Sequence, residues 1–276
     1  MSVHKVWFVT GATRGFGRLW IEAALARGDK VAATARDPNP LAELSAKYGD
    51  SLLILPLDVT DRVAVFDAVA QAHRHFGRLD VVLSNAGFGY MGAIEEATIE
   101  DTRAVFETNV FGTLSLVQAA LPLLRAQGHG HIILVSSVAG LVALPIAGIY
   151  EATKFAVEAI GEALAAEVAE FGIKVTLIEP GGYATDFLSS HSIRHAAAIS
   201  AYDGARKQLA GMLTPDMLGD PAATPEAILK VVDAEQPPLR LILGTLLPMV
   251  RDSYAERLKT WEAWQEVSIA AMRKGT

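Results

Sequence analysis

Short apolar runs alternate along the chain with longer stretches in which apolar residues recur at helical spacing. The short runs are rich in β-branched residues, which is typical of buried strands. The longer stretches have one apolar face, which indicates helices that pack on a core. The pattern predicts strands at residues 5–10, 30–35, 52–57, 80–84, 131–136, 174–179 and 240–244, and helices at about 17–27, 62–75, 98–125 and 149–171.

Strands that are apolar on both faces and alternate with helices predict a parallel sheet that is covered on both sides. We therefore expect an α/β fold of Rossmann type, a doubly wound, parallel, seven-stranded sheet with helices on both faces. No internal repeat or low-complexity linker divides the chain, so residues 1–276 are predicted to form a single domain. In such sheets ligands bind at the carboxyl ends of the strands.

The regular alternation lapses between residues 180 and 238, where a helix at about 201–213 and a turn-rich stretch at 214–225 are predicted. A long irregular segment at the ligand edge of a domain is usually a lid or a binding loop, so residues of about 186–225 are interpreted as a substrate lid. The alternative is a surface excursion without a role.

A C-terminal extension of about 245–276 follows the last predicted strand. It contains a helical stretch with an apolar stripe, which predicts either packing on the domain or a subunit contact. The stripe consists of Leu258, Trp261, Trp264 and Val267.

The composition narrows the classes of function. A formal charge of −7 without a basic block argues against nucleic-acid binding, and the absence of cysteine fits a reducing compartment. The N-terminus lacks a signal-peptide pattern, and no apolar run of about 18 residues predicts a membrane span, so a cytoplasmic protein that is not bound to a membrane is expected. His191 and His195 have helical spacing but lack the glutamate of a zinc motif, so no metal site is predicted.

A glycine-rich turn follows the first predicted strand and opens the first helix. Glycine is suited to a sharp backbone turn, to close approach of a pyrophosphate and to tight packing of the helix on the strand. The helix N-terminus also offers N–H groups and a positive dipole end to phosphates. This position within a βαβ unit predicts a dinucleotide site. The residues expected to form it are Gly11, Thr13, Arg14, Gly15, Phe16 and Gly17.

The end of the second strand determines which dinucleotide is expected. An acidic residue there would bind the ribose hydroxyls and select NAD, but the chain has Ala35 followed by Arg36. Arg36 and Arg14 supply two guanidinium groups that suit a ribose 2′-phosphate, although both could be ordinary surface residues. Asp37 could partly offset Arg36 or bind a ribose hydroxyl itself. NADP(H) is therefore the predicted cofactor and NAD(H) the alternative.

With its further motifs, the sequence resembles the compact single-domain branch of the short-chain dehydrogenase/reductase family over roughly residues 5–187. Residues 10–17 are similar to the family's TGxxxGxG loop. The resemblance implies an adenine contact, a turn beside the cofactor ribose, and a segment that flanks the nicotinamide. The residues that correspond to these three features are Asp58 and Val59, then Asn85, Ala86 and Gly87, and then Pro180, Gly181 and Thr185.

The resemblance further implies a catalytic tetrad and an assembly into a homodimer or homotetramer. The tetrad consists of Asn109, Ser137, Tyr150 and Lys154. It also implies that Lys154 binds the nicotinamide ribose, and that Asn109 lies at a local helix break that positions a water. Taken alone, Asn109 could be an outward-facing polar residue. Ser84, Glu151 and the C-terminal extension depart from the family's usual pattern.

Tyr150 and Lys154 are four residues apart on a predicted helix and therefore lie on one face, although a surface helix turn would give the same spacing. A nearby ammonium and an oxidised nicotinamide both favour the phenolate, so the tyrosine pKa is expected to move toward neutral. Such a tyrosine can exchange a proton with a carbonyl or alcohol oxygen. A serine at the end of the fifth strand can hydrogen-bond that oxygen, and the family spacing selects Ser137 over Ser136.

Apolar residues adjoin these motifs and predict a mostly hydrophobic pocket for a ketone, an aldehyde or an alcohol. Arg194 and Arg206 lie in the predicted lid, so a substrate with a carboxylate or phosphate group stays an alternative. The predicted enzyme is an NADP(H)-dependent oxidoreductase of the carbonyl reductase or alcohol dehydrogenase type. An NADP(H)-sensing regulator and an epimerase or dehydratase are alternatives, and the complete tetrad argues against the regulator. The apolar positions are Phe88, Tyr90, Met91, residues 138–144, Tyr183 and Phe187.

Overall fold

A single parallel sheet forms the centre of the computed structural model, which describes residues 4–185, 192–212 and 218–272. The strands are β1 (Val6–Thr10), β2 (Lys30–Ala35), β3 (Leu52–Pro56), β4 (Val81–Ser84), β5 (Gly89–Met91), β6 (Gly130–Val135), β7 (Ile173–Pro180), β8 (Ile193–His195) and β9 (Arg240–Leu243). Seven of them form the parallel sheet in the order β3-β2-β1-β4-β6-β7-β9. The predicted α/β fold with a doubly wound seven-stranded sheet is confirmed.

Helices cover both faces of the sheet. They are α1 (Gly15–Ala26), α2 (Ala42–Tyr48), α3 (Arg62–Phe76), α4 (Ile99–Phe106), α5 (Thr113–Gln127), α6 (Gly148–Val168), α7 (Asp203–Met212), α8 (Thr224–Asp233), α9 (Leu247–Ala263) and α10 (Gln265–Ala270). Successive strand side chains point to opposite faces, so Phe8 of β1 joins the core beneath α3, α5 and α6, while Trp7 joins the core beneath α1 and α8.

Two parts of the helical prediction are wrong. The single helix expected at 98–125 is interrupted by a π-helical segment, Glu107–Gly112, between α4 and α5. The alternation does not lapse up to residue 238, because α8 crosses back to β9. Pro225 occupies the first turn of α8, where the N–H that proline lacks would have no intrahelical partner. The buried face of α8, with Ile228 and Val232, joins the core.

The described part of the predicted lid lies over the loop that follows β4. β8 pairs in parallel with β5, and α7 confirms the helix expected at about 201–213. Leu209 of α7 packs with Met91 and Ile146. Three-residue strands carry too little periodicity to be predicted. Residues 186–191 and 213–217, which include Phe187 and His191, lie outside the described residues.

The start of the C-terminal extension packs on the domain, and its distal part is exposed. Val250 at the start of α9 packs on Val138 and Leu141, which follow β6. Farther along, Trp261 and Trp264 are 62% and 63% exposed. Leu258 and Val267 of the same stripe are also exposed, at 53% and 58%. Packing on the chain's own domain, one of the two expectations for this stripe, is therefore wrong, and a subunit contact remains a prediction.

One helical stretch of the described residues, Ile99–Gln127, is long and apolar enough to cross a membrane by length and composition alone. Its most apolar window is 56% buried inside the fold. Packing of this stretch against the sheet accounts for that composition, because a core helix of a soluble domain has the same character.

Candidate active site

The glycine-rich loop between β1 and α1 is shaped by positions that admit no side chain. Gly11 has a positive φ of 67°, and a Cβ there would lie 2.9 Å from the Ala86 Cα. A Cβ at Gly17 would lie 2.6 Å from Asn85 Nδ2 and also too close to the Gly11 carbonyl. Glycine at these positions therefore lets helix, strand and the neighbouring loop approach closely.

Hydrogen bonds fasten the loop after β4 to this glycine-rich loop. The Thr10 hydroxyl accepts the backbone N–H groups of Asn85 and Ala86 at 3.0 and 3.1 Å. In return, Asn85 Nδ2 donates to the carbonyls of Thr10 and Gly11 at 3.0 and 2.9 Å. The residues predicted to pass the cofactor ribose thus lie against the predicted pyrophosphate loop.

The start of α1 fits a phosphate group. Arg14 at the N-cap has extended backbone, and among the described residues no side chain caps this helix by a hydrogen bond. A Cβ at Gly15 would meet no atom within 4 Å, so the backbone is open on that side. Uncapped N–H groups and the helix dipole favour an anion at this position. Phe16 lies next in the chain and stacks on Trp20 with ring centroids 5.1 Å apart.

The ends of β2 and β3 lie at the same edge of the sheet. Arg36 is exposed and makes no ion pair within the described part of the chain, whereas the Asp37 carboxylate accepts the Asn39 N–H at 3.1 Å. Asp37 therefore does not neutralise Arg36 by a direct contact. Asp58 is exposed, and the adjacent Val59 is buried. The residues at this edge and in the glycine-rich loop fit a dinucleotide with its adenosine end beside β2 and β3.

Ser137 and Tyr150 meet at the carboxyl end of β6. The two side chains are hydrogen-bonded. The Ser137 hydroxyl also lies 3.3 Å from the Pro180 carbonyl and accepts the Ala139 N–H at 3.1 Å. The Ser136 hydroxyl is instead buried beside Gly140, within 2.8 Å of where a Cβ of that glycine would lie. The geometry therefore favours Ser137 over Ser136.

Lys154 lies one helical turn after Tyr150. Its Nζ donates to the Val135 carbonyl at 2.9 Å and lies 5.7 Å from the centroid of the Tyr150 ring. A Cβ at Gly87 would be 3.9 Å from the same Nζ, so the lysine reaches the loop predicted to border the ribose. Burial lowers the pKa of Lys154 to about 8, although the nearby Glu158 raises it.

The pKa of Tyr150 is raised above its ordinary value. Burial is the main cause, the hydrogen bond with Ser137 lowers the pKa, and the negative charge of Glu151 raises it. The expectation that Lys154 moves this pKa toward neutral is therefore wrong for the protein alone, because burial of the phenol and the charge of Glu151 together outweigh the hydrogen bond with Ser137.

Asn109 lies buried in the π-helical segment, so the expected local helix break is present. Its Oδ1 accepts the Phe88 N–H at 3.0 Å, and its Nδ2 donates to the Phe88 carbonyl at 2.9 Å and to the Thr153 hydroxyl at 3.1 Å. The amide therefore joins the loop after β4 to α6 between Tyr150 and Lys154. An outward-facing Asn109 is excluded.

The segment that was expected to flank a nicotinamide follows β7 at the same edge of the sheet. Gly181 donates its backbone N–H to the Leu243 carbonyl at 3.0 Å, and the Thr185 N–H donates to the Tyr183 carbonyl at 2.8 Å. The Tyr183 ring meets the Phe16 ring edge to face, with centroids 5.2 Å apart. Tyr183 thereby connects this segment to the glycine-rich loop.

Several residues predicted to line the substrate pocket are used for packing. Tyr90 is fully buried, and Val138 and Leu141 are covered by α9. Arg206 forms ion pairs with Glu96 and Asp203. Arg194 lies over the Phe88 ring at 4.8 Å and 3.4 Å from Asp101, and its side chain is 53% exposed. Of the two arginines, Arg194 is therefore the one with an accessible guanidinium.

Sequence reasoning missed Glu96, which anchors the segment that is predicted to be a lid. Its carboxylate accepts the backbone N–H groups of Ile199 at 2.6 Å and Ala93 at 2.7 Å and pairs with Arg206. These hydrogen bonds and the arginine lower the pKa of Glu96. No local sequence signal marks this anchoring role, because Ile199 and Arg206 lie about a hundred positions away along the chain.

Comparison with known proteins agrees with this architecture. The family model described as short chain dehydrogenase matches residues 5–195. The chain belongs to the short-chain dehydrogenase/reductase family. An oxidoreductase from Botryotinia fuckeliana, BOA17, is 38% identical over 97% of this chain and 99% of its own. A 3-ketodihydrosphingosine reductase from Bacteroides thetaiotaomicron is 35% identical over 93% of each chain. The protein is thus an NAD(P)-dependent oxidoreductase of this family.

Solved structures of this family superpose over most of the chain. A short-chain dehydrogenase from Streptomyces avermitilis is 38% identical, with a TM-score of 0.88 over 98% of this chain and 99% of its own. A serine dehydrogenase bound to NADP+ is 29% identical, with a TM-score of 0.74 over 87% and 95%. A 3-ketoacyl-(acyl-carrier-protein) reductase from Brucella melitensis bound to NADH is 25% identical, with a TM-score of 0.76 over 88% and 98%. Structural neighbours thus bind either dinucleotide.

Proposed function

We propose that this short-chain dehydrogenase uses NADP(H) to interconvert a hydrophobic ketone or aldehyde and the corresponding alcohol. The observation that carries the proposal is the hydrogen-bonded pair of Ser137 and Tyr150 at the carboxyl edge of the sheet. Lys154 follows on the next turn of α6 and reaches toward Gly87. A proton donor, an oxygen-binding hydroxyl and a cation therefore lie close together, and the cation reaches the loop expected to border the ribose.

The proposed roles follow from these contacts. A bound nicotinamide would supply or accept the hydride. In reduction, the Tyr150 hydroxyl gives its proton to the carbonyl oxygen, and in the reverse direction it takes the alcohol proton. The Ser137 hydroxyl hydrogen-bonds the same oxygen and stabilises its developing charge. Lys154 binds the ribose and favours the phenolate that Tyr150 leaves behind. Asn109 holds the loop at Phe88 against α6 through its hydrogen bonds to Phe88 and Thr153.

The proposed preference for NADP(H) rests on charge at the end of β2. Ala35 ends the strand, and the exposed Arg36 follows it without an ion pair to any described residue. Together with the exposed Arg14 at the start of α1, it would bind a ribose 2′-phosphate through charge-assisted hydrogen bonds. NAD(H) is the alternative cofactor.

The proposed hydrophobic substrate is supported by the surroundings of the site. The segment between Ser137 and Tyr150 and the lid helix α7 carry apolar side chains such as Leu144 and Leu209. A relative that is 35% identical is named for the reduction of 3-ketodihydrosphingosine. Apolar lining with a few polar groups is usual for pockets that bind small apolar ligands.

The proposed assembly is a homodimer or homotetramer. Leu258, Trp261 and Trp264 are exposed on the arm formed by α9 and α10, and large exposed apolar side chains mark contact surfaces. Light scattering of the wild type and of Trp261→Ser tests this role of the arm. A smaller assembly for the variant is expected, and equal molar masses would refute the contact.

Purified protein is mixed with NADPH, and separately with NADH, against a panel of hydrophobic ketones and aldehydes while the reduced-nicotinamide absorbance is followed. Turnover that prefers NADPH is expected, and Tyr150→Phe should lower kcat about 100-fold or more with little change in cofactor affinity. Activity retained in Tyr150→Phe would refute the acid–base assignment. Faster turnover with NADH would refute the cofactor preference. Cofactor binding without any turnover would favour a sensing protein instead.

A further inference from the structure

The segment that joins Ser137 to Tyr150 is held in a strained conformation. Within it, Ile146 has a φ of 71°, and it is the one non-glycine residue with positive φ in the described part of the chain. A β-branched residue rarely adopts this backbone, so its surroundings must hold it there. Strain of this kind is concentrated at functional sites, and here it lies between two proposed catalytic residues.

Contacts from three directions hold this segment. The Glu151 Oε1 accepts the Leu144 N–H at 2.7 Å. The Ile146 carbonyl accepts the Gly92 N–H, also at 2.7 Å. The side chain of Ile146 packs in one cluster with Leu209 of the lid helix. Of these three contacts, only the one from Glu151 is made by an ionisable side chain. Glu151 also follows Tyr150 directly in the chain.

Glu151 occupies an environment that disfavours a carboxylate. Its side chain belongs to a residue only 3% exposed, and its Oε2 has no hydrogen-bond partner among the described residues. Burial raises its pKa to about 7, although the Leu144 N–H lowers it. Burial of an acid with one unpaired oxygen costs free energy, and the one hydrogen bond that its carboxyl accepts among the described residues offsets part of that cost. That hydrogen bond is the one to the strained segment.

We propose that Glu151 is a positioning residue that holds residues 138–147 in the conformation that admits substrate, and so sets the affinity of the site for its carbonyl or alcohol. This inference rests on the proposed function. If the segment is released, only a fraction of molecules is competent to bind, and the apparent affinity falls by that fraction. Saturating substrate restores the competent conformation, so KM rises while kcat is largely kept.

Two variants of similar length separate the hydrogen bond from the charge. Glu151→Gln keeps an acceptor for the Leu144 N–H, whereas Glu151→Met has nearly the same length without a strong acceptor. Both remove the negative charge beside Tyr150, so an effect of that charge on the tyrosine is common to both. Glu167→Ala replaces an exposed glutamate of the same helix and serves as the control.

The first readout is independent of any substrate. Hydrogen exchange followed by mass spectrometry reports peptides that span residues 141–149. Faster exchange is expected in Glu151→Met, with near wild-type exchange in Glu151→Gln and Glu167→Ala. Peptides from β1 should exchange equally in all four proteins, which separates release of the segment from general loss of stability. Equal exchange of residues 141–149 in Glu151→Met and the wild type would overturn the proposal.

The second readout is steady-state kinetics with the best ketone of the panel. Glu151→Met should raise KM on the order of tenfold, the upper end of what loss of one hydrogen bond gives, with kcat within about twofold. Glu151→Gln should restore KM. A fall in kcat at constant KM, or equal defects in both variants, would overturn the proposal. Tyr150→Phe tests the proposed chemistry separately, because it keeps the contacts of Glu151 and Gly92 with the segment and is expected to leave the exchange of residues 141–149 unchanged.

Discussion

Replacing Thr10 by valine removes a hydroxyl that holds two loops of the cofactor site together. Thr10 is 1% exposed at the end of β1, and its Oγ1 accepts the N–H groups of both Asn85 and Ala86. Valine has nearly the same shape but no acceptor. The substitution therefore leaves two backbone N–H groups without a partner and loosens the loop after β4 from the glycine-rich loop.

The cost follows from the surroundings of the two N–H groups. An unsatisfied buried donor costs about 1–3 kcal/mol, and the lower end applies because Asn85 and Ala86 are only partly buried. Two such groups give about 2 kcal/mol of lost stability. For a chain of this size the melting temperature should fall by about 4–8 °C. The affinity for NADPH should fall on the order of tenfold, because the displaced loop borders the proposed ribose site.

Thermal unfolding and fluorescence titration with NADPH measure the two effects. Thr10→Ser is the matched control, since it keeps the hydroxyl and loses only a methyl group, at about 1 kcal/mol. The serine variant should keep the wild-type affinity for NADPH. A valine variant as stable as the wild type, or a serine variant with the same loss of affinity as valine, would show that the shared hydroxyl does not hold these loops.

Further predictions concern the cofactor, the lid and the pH dependence of stability. Arg36→Asp should lower the ratio of kcat/KM for NADPH over NADH on the order of tenfold, and an unchanged ratio would exclude a contact with the 2′-phosphate. Glu96→Gln should weaken the ion pair with Arg206 and speed hydrogen exchange of residues 193–212, and wild-type exchange there would argue against the anchor. Burial raises the pKa of Glu151 from 4.5 to about 7, so the native state binds this proton more tightly than the unfolded chain does. The free energy of unfolding should therefore fall as pH rises from 4.5 to about 7, and Glu151→Gln should flatten this change in urea titrations. An unaltered pH slope in the variant would contradict the shift.

Local patterns in the sequence determined the sheet and the position of the cofactor loop. Each strand of the seven-stranded sheet is marked by a short run of apolar residues, and the positive φ of Gly11 is a local property of the turn between β1 and α1. Tyr150 and Lys154 share a helix face because of their spacing alone. Such features depend on residues close together in the chain, so they can be predicted without knowledge of the tertiary structure.

Only the tertiary structure decided which side chains cooperate across the site. Asn109 forms its bond to Thr153 44 positions away, and it is this pairing that makes a buried asparagine in a helix favourable. Ser137 forms the hydrogen bond with Tyr150, whereas the Ser136 hydroxyl is buried beside Gly140. This difference depends on how the end of β6 packs against α6. The buried Glu151 and the strained Ile146 carry no local pattern either. The pKa of Glu151 is set mainly by its burial, and the conformation of Ile146 is held by contacts with Gly92 and Leu209, which are distant in sequence. Sequence periodicity contains no information on either.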